Sequence, residues 1–324
     1  MVIVWGVLIL VGVGLIVWGS ETFAEHLGAA AIRLGVSSFA LALLLAGAEP
    51  EELATGVTAS LRGVPAIAFG DLIGANITIC LVALGVGALV TPLPFGRRVM
   101  RYALFGLPMS IIASGLIWDG KVNRWQGLLL VSMYILYIAV IWWVERQPPS
   151  LGETKELTEA HEKLDKQQAQ GINHRIGKDL LLVLVGLAAI VIGSVLLVES
   201  VRQIAQVEET QTKLGLTLLG FATSFELITL AWSMARRGAT EATVAGVVGS
   251  FTYNMTMGLG TAAFVRPLRI LDAQLLHFPI LVMLASLTLA IALAWKQGYL
   301  GKTAGKILIA AYLLFIFACL NLNY

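Results

Sequence analysis

Ten stretches of this chain are dominated by apolar side chains, and each is about as long as a helix needs to cross a bilayer, roughly 20 residues. They cover residues 2–20, 36–61, 65–90, 99–118, 125–145, 179–199, 213–235, 240–264, 275–295 and 304–322. In hydrocarbon every backbone N–H and C=O must find its partner inside the protein, so segments of this length and apolarity are expected to be helices. The balance of 58% hydrophobic and 13% charged residues gives the same class, an all-α integral membrane protein. A net charge of +2 offers no case for nucleic acid. The first apolar run has no basic stretch before it and is expected to be a retained helix, not a cleaved leader. Cys80 and Cys319 fall inside predicted spans and lack the spacing of a thiol pair or a metal site.

The chain also repeats itself. A shift of 174 residues aligns Gly12 with Gly186, Ser20 with Ser194, Glu49 with Thr223, Glu52 with Glu226 and Thr55 with Thr229. With one residue inserted after Arg236 the match continues to Gly74 with Gly249. The expected organisation is a first five-helix repeat over 1–145, a polar linker over 146–178 and a second five-helix repeat over 179–324. Five is odd, so the second copy must enter the membrane upside down, giving two inverted-topology repeats with a site at the midplane where they meet. With the N-terminus outside, 15 of the 22 Lys and Arg residues lie on the inner side, Arg97, Arg98, Arg101 and the 146–178 loop among them. The positive-inside rule then predicts both termini outside and that loop in the cytoplasm. Trp5, Trp18, Trp118, Trp125, Trp142 and Trp143 sit near predicted span ends, as an interfacial aromatic belt requires.

Glu52 in LAGAEPEELATG and Glu226 in LGFATSFELITL stand in the middle of apolar runs at equivalent positions of the two copies. A carboxylate in hydrocarbon costs several kcal/mol, so a repeated one points to an ion pathway. Helical residues three apart share a face, which predicts one oxygen-bearing stripe of Glu49, Glu52 and Thr55 and another of Thr223, Glu226 and Thr229. Pro50 should open its helix and free carbonyls such as that of Gly47 as further ligands. The second copy lacks this proline, and Gly220 alone is a weak signal for a break there. Gly70, Gly74 and Ala75, with Ala245 and Gly249, allow close helix approach, and either packing or direct ligation explains them. Ser250 and Asn254 are polar, four apart and on one face, and are candidate ligands. Asp71 has two readings, a functional acid and a residue near a wet helix end.

These residues resemble the calcium/cation antiporter superfamily, the Na+/Ca2+ exchanger type, whose two repeats read roughly G-T-S-x-P-E-[LI] and, further on, G-N-x-x-G-S-N. Here the first repeat has GAEPEEL from Gly47 and GDLIGAN from Gly70, and the second has FATSFEL from Phe221 and AGVVGSF from Ala245. The resemblance implies ten spans, alternating access and a central cation held by Glu52 and Glu226, with Thr223, Ser250 and Asn254 completing the polar ring. The first repeat departs from the motif: Ala48, Glu49, Glu51, Ala75 and Ile79 stand where Thr, Ser, Pro, Ser and Asn are usual, and Phe225 replaces the second proline. The missing hydroxyl and amide weaken a sodium site in that half, while Glu49 one turn from Glu52 favours a proton role or a different charge preference.

The expected function is therefore a secondary active cation antiporter exchanging Ca2+ for Na+ or H+, with no cofactor beyond the transported ions and with inorganic cations and lipid as partners. Ca2+ takes six to eight oxygens, which two carboxylates with carbonyls and a hydroxyl nearly supply. Oxygen ligands do not choose among hard ions, so an antiporter of Mg2+, Mn2+ or K+ and a non-transporting membrane protein remain open. An enzyme is not expected: His26, His161, His174 and His277 form no metal-like cluster, and no nucleophile elbow or phosphate loop is present.

Overall fold

The computed structural model describes residues 2–33, 49–145, 176–237 and 240–321. Eleven helices are distinguished among these: α1 (Val2–Arg33), α2 (Pro50–Leu61), α3 (Pro65–Val90), α4 (Arg97–Ile117), α5 (Arg124–Glu145), α6 (Ile176–Ile204), α7 (Glu208–Thr223), α8 (Phe225–Arg237), α9, α10 (Gln274–Trp295) and α11 (Lys302–Asn321). α9 runs without interruption through Thr240–Tyr253, a π-helical Asn254–Gly258 and Leu259–Val265. Each predicted span with described residues contains helix. Seven helices, α1, α3 to α6, α10 and α11, are long and apolar enough to cross a membrane, and α7 with α8 makes an eighth if the bent pair is counted as one.

Among the described residues the expectation of ten spans is thus met only in part. Residues 36–48 of the second predicted span lie outside the described residues, leaving α2 with 12 residues. α9 is long enough but carries Ser250, Thr252, Asn254 and Thr256, all buried, so its interior face is hydrophilic. The helix bounds also differ from the predicted spans. The first helix continues past residue 20 to Arg33, and the span predicted over 213–235 breaks at Ser224 with a bend of 41°.

Packing follows the small residues. α1 and α6 cross antiparallel through glycines: a Cβ on Gly12 would lie 2.9 Å from the Gly193 carbonyl oxygen, and one on Gly19 would lie 2.8 Å from that of Gly186. Without a hydrophobic drive between helices in lipid, such backbone approach supplies the dispersion contact that holds them. The shift of 174 residues turns one of these contacts into the other. Two short antiparallel pairings behave similarly, with Leu93 opposite Leu300 and Lys121 opposite Arg269. π-helical turns at Ile79–Ala83 in α3 and Asn254–Gly258 in α9 also occupy equivalent positions of the repeat.

The large apolar side chains on the outside of the bundle, such as Leu10, Leu184, Leu313 and Phe317, are exposed, as lipid-facing residues must be. Inside, α3 is the most enclosed helix, buried on all sides over most of its length. It is the pillar against which the acidic elements pack.

The glycine crossing yields a test. Gly186→Val forces a side chain into the backbone of Phe23 and Gly19, whereas nothing lies within 4 Å of a Cβ at Gly14. Overpacking of this kind costs about 1–3 kcal/mol, so thermal unfolding of the purified protein should occur at lower temperature for Gly186→Val and stay unchanged for Gly14→Val.

Candidate cation site

α2 starts at Pro50, the N1 position, where a missing N–H costs nothing. Glu49 just before it has non-helical backbone, with φ −106° and ψ 85°. Glu49, Glu51 and Glu52 therefore gather at the positive end of the helix dipole, which favours anions. All three are buried, at 6%, 2% and 0% exposure. One oxygen from each can be chosen so that all lie within 4.8 Å of one another.

Neighbouring helices hold two of these carboxylates in place. Ser250 of α9 donates its hydroxyl to Glu49 Oε1, and Ser20 of α1 donates to Glu51 Oε2 at 2.8 Å. Both oxygens of Glu52 lack a hydrogen-bond donor among the described residues. Further charge surrounds the group: Glu226 repels Glu51, and Asp71 adds to the repulsion that Glu49 and Glu51 exert on Glu52. Among the described residues no Lys or Arg pairs with Glu51, Glu52 or Asp71. A buried charge without a counter-charge is strongly unfavourable. The arrangement is suited to receive a cation, and its donor set is all oxygen.

A second layer lies between α3, α7 and α9. The Thr223 hydroxyl sits 3.0 Å from the Leu219 carbonyl and 3.2 Å from Asp71 Oδ1, sharing one proton between them. Asn76 donates to the Phe251 carbonyl at 3.0 Å and accepts from Asn254 Nδ2 at 3.2 Å. α3 and α7 approach this closely because Gly74 and Gly220 lack side chains: a Cβ on Gly220 would lie 2.5 Å from the backbone of Gly74 and Ala75. Asn254 opens the π-helical turn of α9, a distortion common at functional positions because it re-aims the side chains around it.

Most of the expected residues meet here, although not as the helical stripes anticipated. Glu49, Glu52, Ser250, Asp71, Thr223 and Asn254 are all buried in this region. The second stripe does not form, because the helix breaks at Ser224, between Thr223 and Glu226, where the backbone leaves the helical region at φ −78° and ψ 1°. Glu226 is half-buried in the first turn of α8 and falls outside the 4.8 Å group. Thr229 is exposed, and its hydroxyl bonds the Glu226 carbonyl of its own helix at 2.7 Å. Thr55 is buried but turned towards α6, donating to Ser194 at 3.2 Å. Gly47 lies outside the described residues.

Glu51, Ser20 and Asn76 were not among the expected ligands. Glu51 carried one signal, a charge in place of the motif's proline, whereas nothing local marks Ser20, which lies 31 residues from the carboxylate it bonds. Glu199, at the end of α6, lies 3.5 Å from both Arg62 and Arg202 and is held in an ion-pair network.

A helical bundle with several helices long and apolar enough to cross a membrane, enclosing buried carboxylates and hydroxyls where broken and π-distorted helices meet, defines an integral multi-pass membrane protein with an acidic interior. The model of the sodium/calcium exchanger protein family matches residues 4–143 and 178–321, and the chain belongs to that family. Among curated relatives, the inner membrane protein YrbG of Escherichia coli is 23% identical over 316 residues, covering 95% of this chain and 94% of its own. The sodium/calcium exchanger MaX1 of Methanosarcina acetivorans is 26% identical over 342 residues, covering 95% and 96%. The solved structure of the sodium-calcium exchanger NCX_Mj soaked with Na+ and Sr2+ shares the fold, with a TM-score of 0.64 at 21% identity over 100% of both chains.

The amide pair at the centre is open to a stability test. Asn76→Leu leaves the Phe251 carbonyl and the Asn254 amide without their partner, at about 1–3 kcal/mol for each buried group. A lowered unfolding temperature is expected, larger than that of Thr288→Val, whose hydroxyl bonds only its own helix on an exposed face.

Proposed function

We propose that this exchanger-family protein is a secondary active antiporter that moves Ca2+ against Na+ or H+ by alternating access, at a site in which Glu52 and Glu226 supply the shared carboxylates. The observation that carries the reading is Glu52, fully buried with neither oxygen hydrogen-bonded among the described residues. Antiport requires the two ions to compete for one set of ligands, and an interior carboxylate without a donor of its own can serve either. Thr223, Ser250, Asn254 and Glu49 complete the ligand set in this reading, with Asp71 and the Gly47 carbonyl as further candidates. Thr55 and Thr229 are directed elsewhere by their hydrogen bonds and take no direct part.

The antiport cycle fits two inverted five-helix repeats, over 1–145 and 179–324, with residues 146–178 as a cytoplasmic linker and both termini outside. The reciprocal contacts between the halves support it. The antiparallel crossing of α1 and α6, the paired short strands and the π-helical turns all recur under the same shift of 174 to 178 residues. Exchange of roles between two such halves is how alternating access is generated in many transporters. Sodium/calcium exchange is also what the names of MaX1 and NCX_Mj state of those relatives.

The experiment is uptake of radioactive Ca2+ into proteoliposomes with an outward Na+ gradient and, separately, an outward H+ gradient. One gradient should drive uptake, and Glu52→Gln and Glu226→Gln should each abolish it. Folded protein that takes up no Ca2+ under either gradient rejects Ca2+ exchange.

A further inference from the structure

We propose that Glu49, Glu51 and Glu52 form a tricarboxylate site able to hold a hard divalent cation by themselves, within the first half of the chain and without Glu226. The inference rests on Glu52 being a cation carboxylate, as the antiport reading has it, and adds Glu51 as a ligand.

Geometry comes first. Oxygens bound to one Ca2+ lie about 2.3–2.6 Å from it, so no two of them can be more than roughly 5 Å apart. The three glutamates already place an oxygen each within 4.8 Å of the others. The spacing meets this bound for every pair of the three. Glu226 stands outside this set.

Burial and hydrogen bonding give an independent reason. Glu52 is 0% exposed and both its oxygens lack donors among the described residues, so one carboxylate of the group is buried without a donor of its own. Ser20 and Ser250 each donate to one oxygen, Oε2 of Glu51 and Oε1 of Glu49. A hydroxyl bond of this kind orients a carboxylate. The two serines come from α1 and α9 and thus fix the group from opposite sides in the sequence. The start of α2 by itself repels a cation, with an effective charge of about half a unit. Three carboxylates outweigh it, where one would be largely spent on the dipole.

Chemistry narrows the occupant. The ligands are anionic oxygens with no nitrogen or sulfur, which suits Ca2+ and Mn2+ and not a soft metal. Na+ gains little from three negative charges around one positive one, whereas a divalent ion nearly balances them. Glu49 and Glu51 thus give the first half a preference for divalent cations that Glu52 by itself lacks.

Equilibrium binding of Mn2+ to the full-length purified chain in Na+-free detergent, followed by the electron paramagnetic resonance signal of free Mn2+, tests this. Wild type should bind, and Glu226→Gln should still bind although it no longer transports. Glu52→Gln and Glu51→Gln should weaken binding by roughly 100-fold, and Ser20→Ala by about tenfold, a loss usual for partners that orient a metal ligand. Each variant's unfolding temperature without metal reports its fold, and the upward shift caused by Mn2+ reports binding. If Glu51→Gln does not fold, Ser20→Ala decides, because it retains every carboxylate: unchanged Mn2+ affinity removes Glu51 from the site. Binding unchanged in Glu51→Gln overturns the proposal, and so does its complete loss in Glu226→Gln. A protein that binds Mn2+ in this pattern yet drives no Ca2+ uptake rejects the antiport reading alone.

Discussion

Carboxylates buried in an apolar bundle must be met by hydrogen bonds or by positive charge, and this condition organises the centre of the molecule. Solvation lost on burial is worth several kcal/mol per ion. The chain recovers part of it with hydroxyls, Ser250 on Glu49, Ser20 on Glu51 and Thr223 on Asp71, and leaves Glu52 without a donor among the described residues. α9 supplies Ser250 to this centre from a polar face that also carries Asn254, which bonds Asn76. Distortions also concentrate here: the non-helical backbone at Glu49, the break at Ser224 and the π-helical turns of α3 and α9.

Close helix contact is the other half of the arrangement. α3 reaches α7 through Gly74 and Gly220, which brings Asp71 to Thr223 across the two halves of the chain. Bulkier residues would separate these helices and strand both polar groups. The same economy governs α1 and α6, whose glycines let the two longest helices lie backbone to backbone. The hydrogen bonds at the site therefore depend on residues that make none themselves.

The two halves are not in identical surroundings. Thr55 of α2 bonds Ser194 of α6, but the equivalent pair, Thr229 and Ser20, is apart: Thr229 is exposed and bonds its own helix, while Ser20 has gone to Glu51. A chain with repeated sequence has thus adopted unequal contacts. Glu51 has no carboxylate counterpart in the second copy, where Phe225 stands, and that single difference gives Ser20 a partner that Ser194 lacks.

Much was legible in the sequence. Apolar runs gave the helices, because in hydrocarbon no other open structure satisfies the backbone, while the repeat singled out Glu52 and Glu226 and the polar pair four apart in an apolar run singled out Ser250 and Asn254. Periodicity misled at Thr223, Glu226 and Thr229, since a stripe presumes an unbroken helix and the bend at Ser224 has no proline to announce it. Which groups meet was decided by tertiary structure alone. Ser20 and Glu51 are 31 residues apart, Asn76 and Asn254 178, and Glu49 and Ser250 201. Local pattern fixes the face of one helix, but contacts over such separations depend on how helices cross, and that follows from packing summed over the whole bundle.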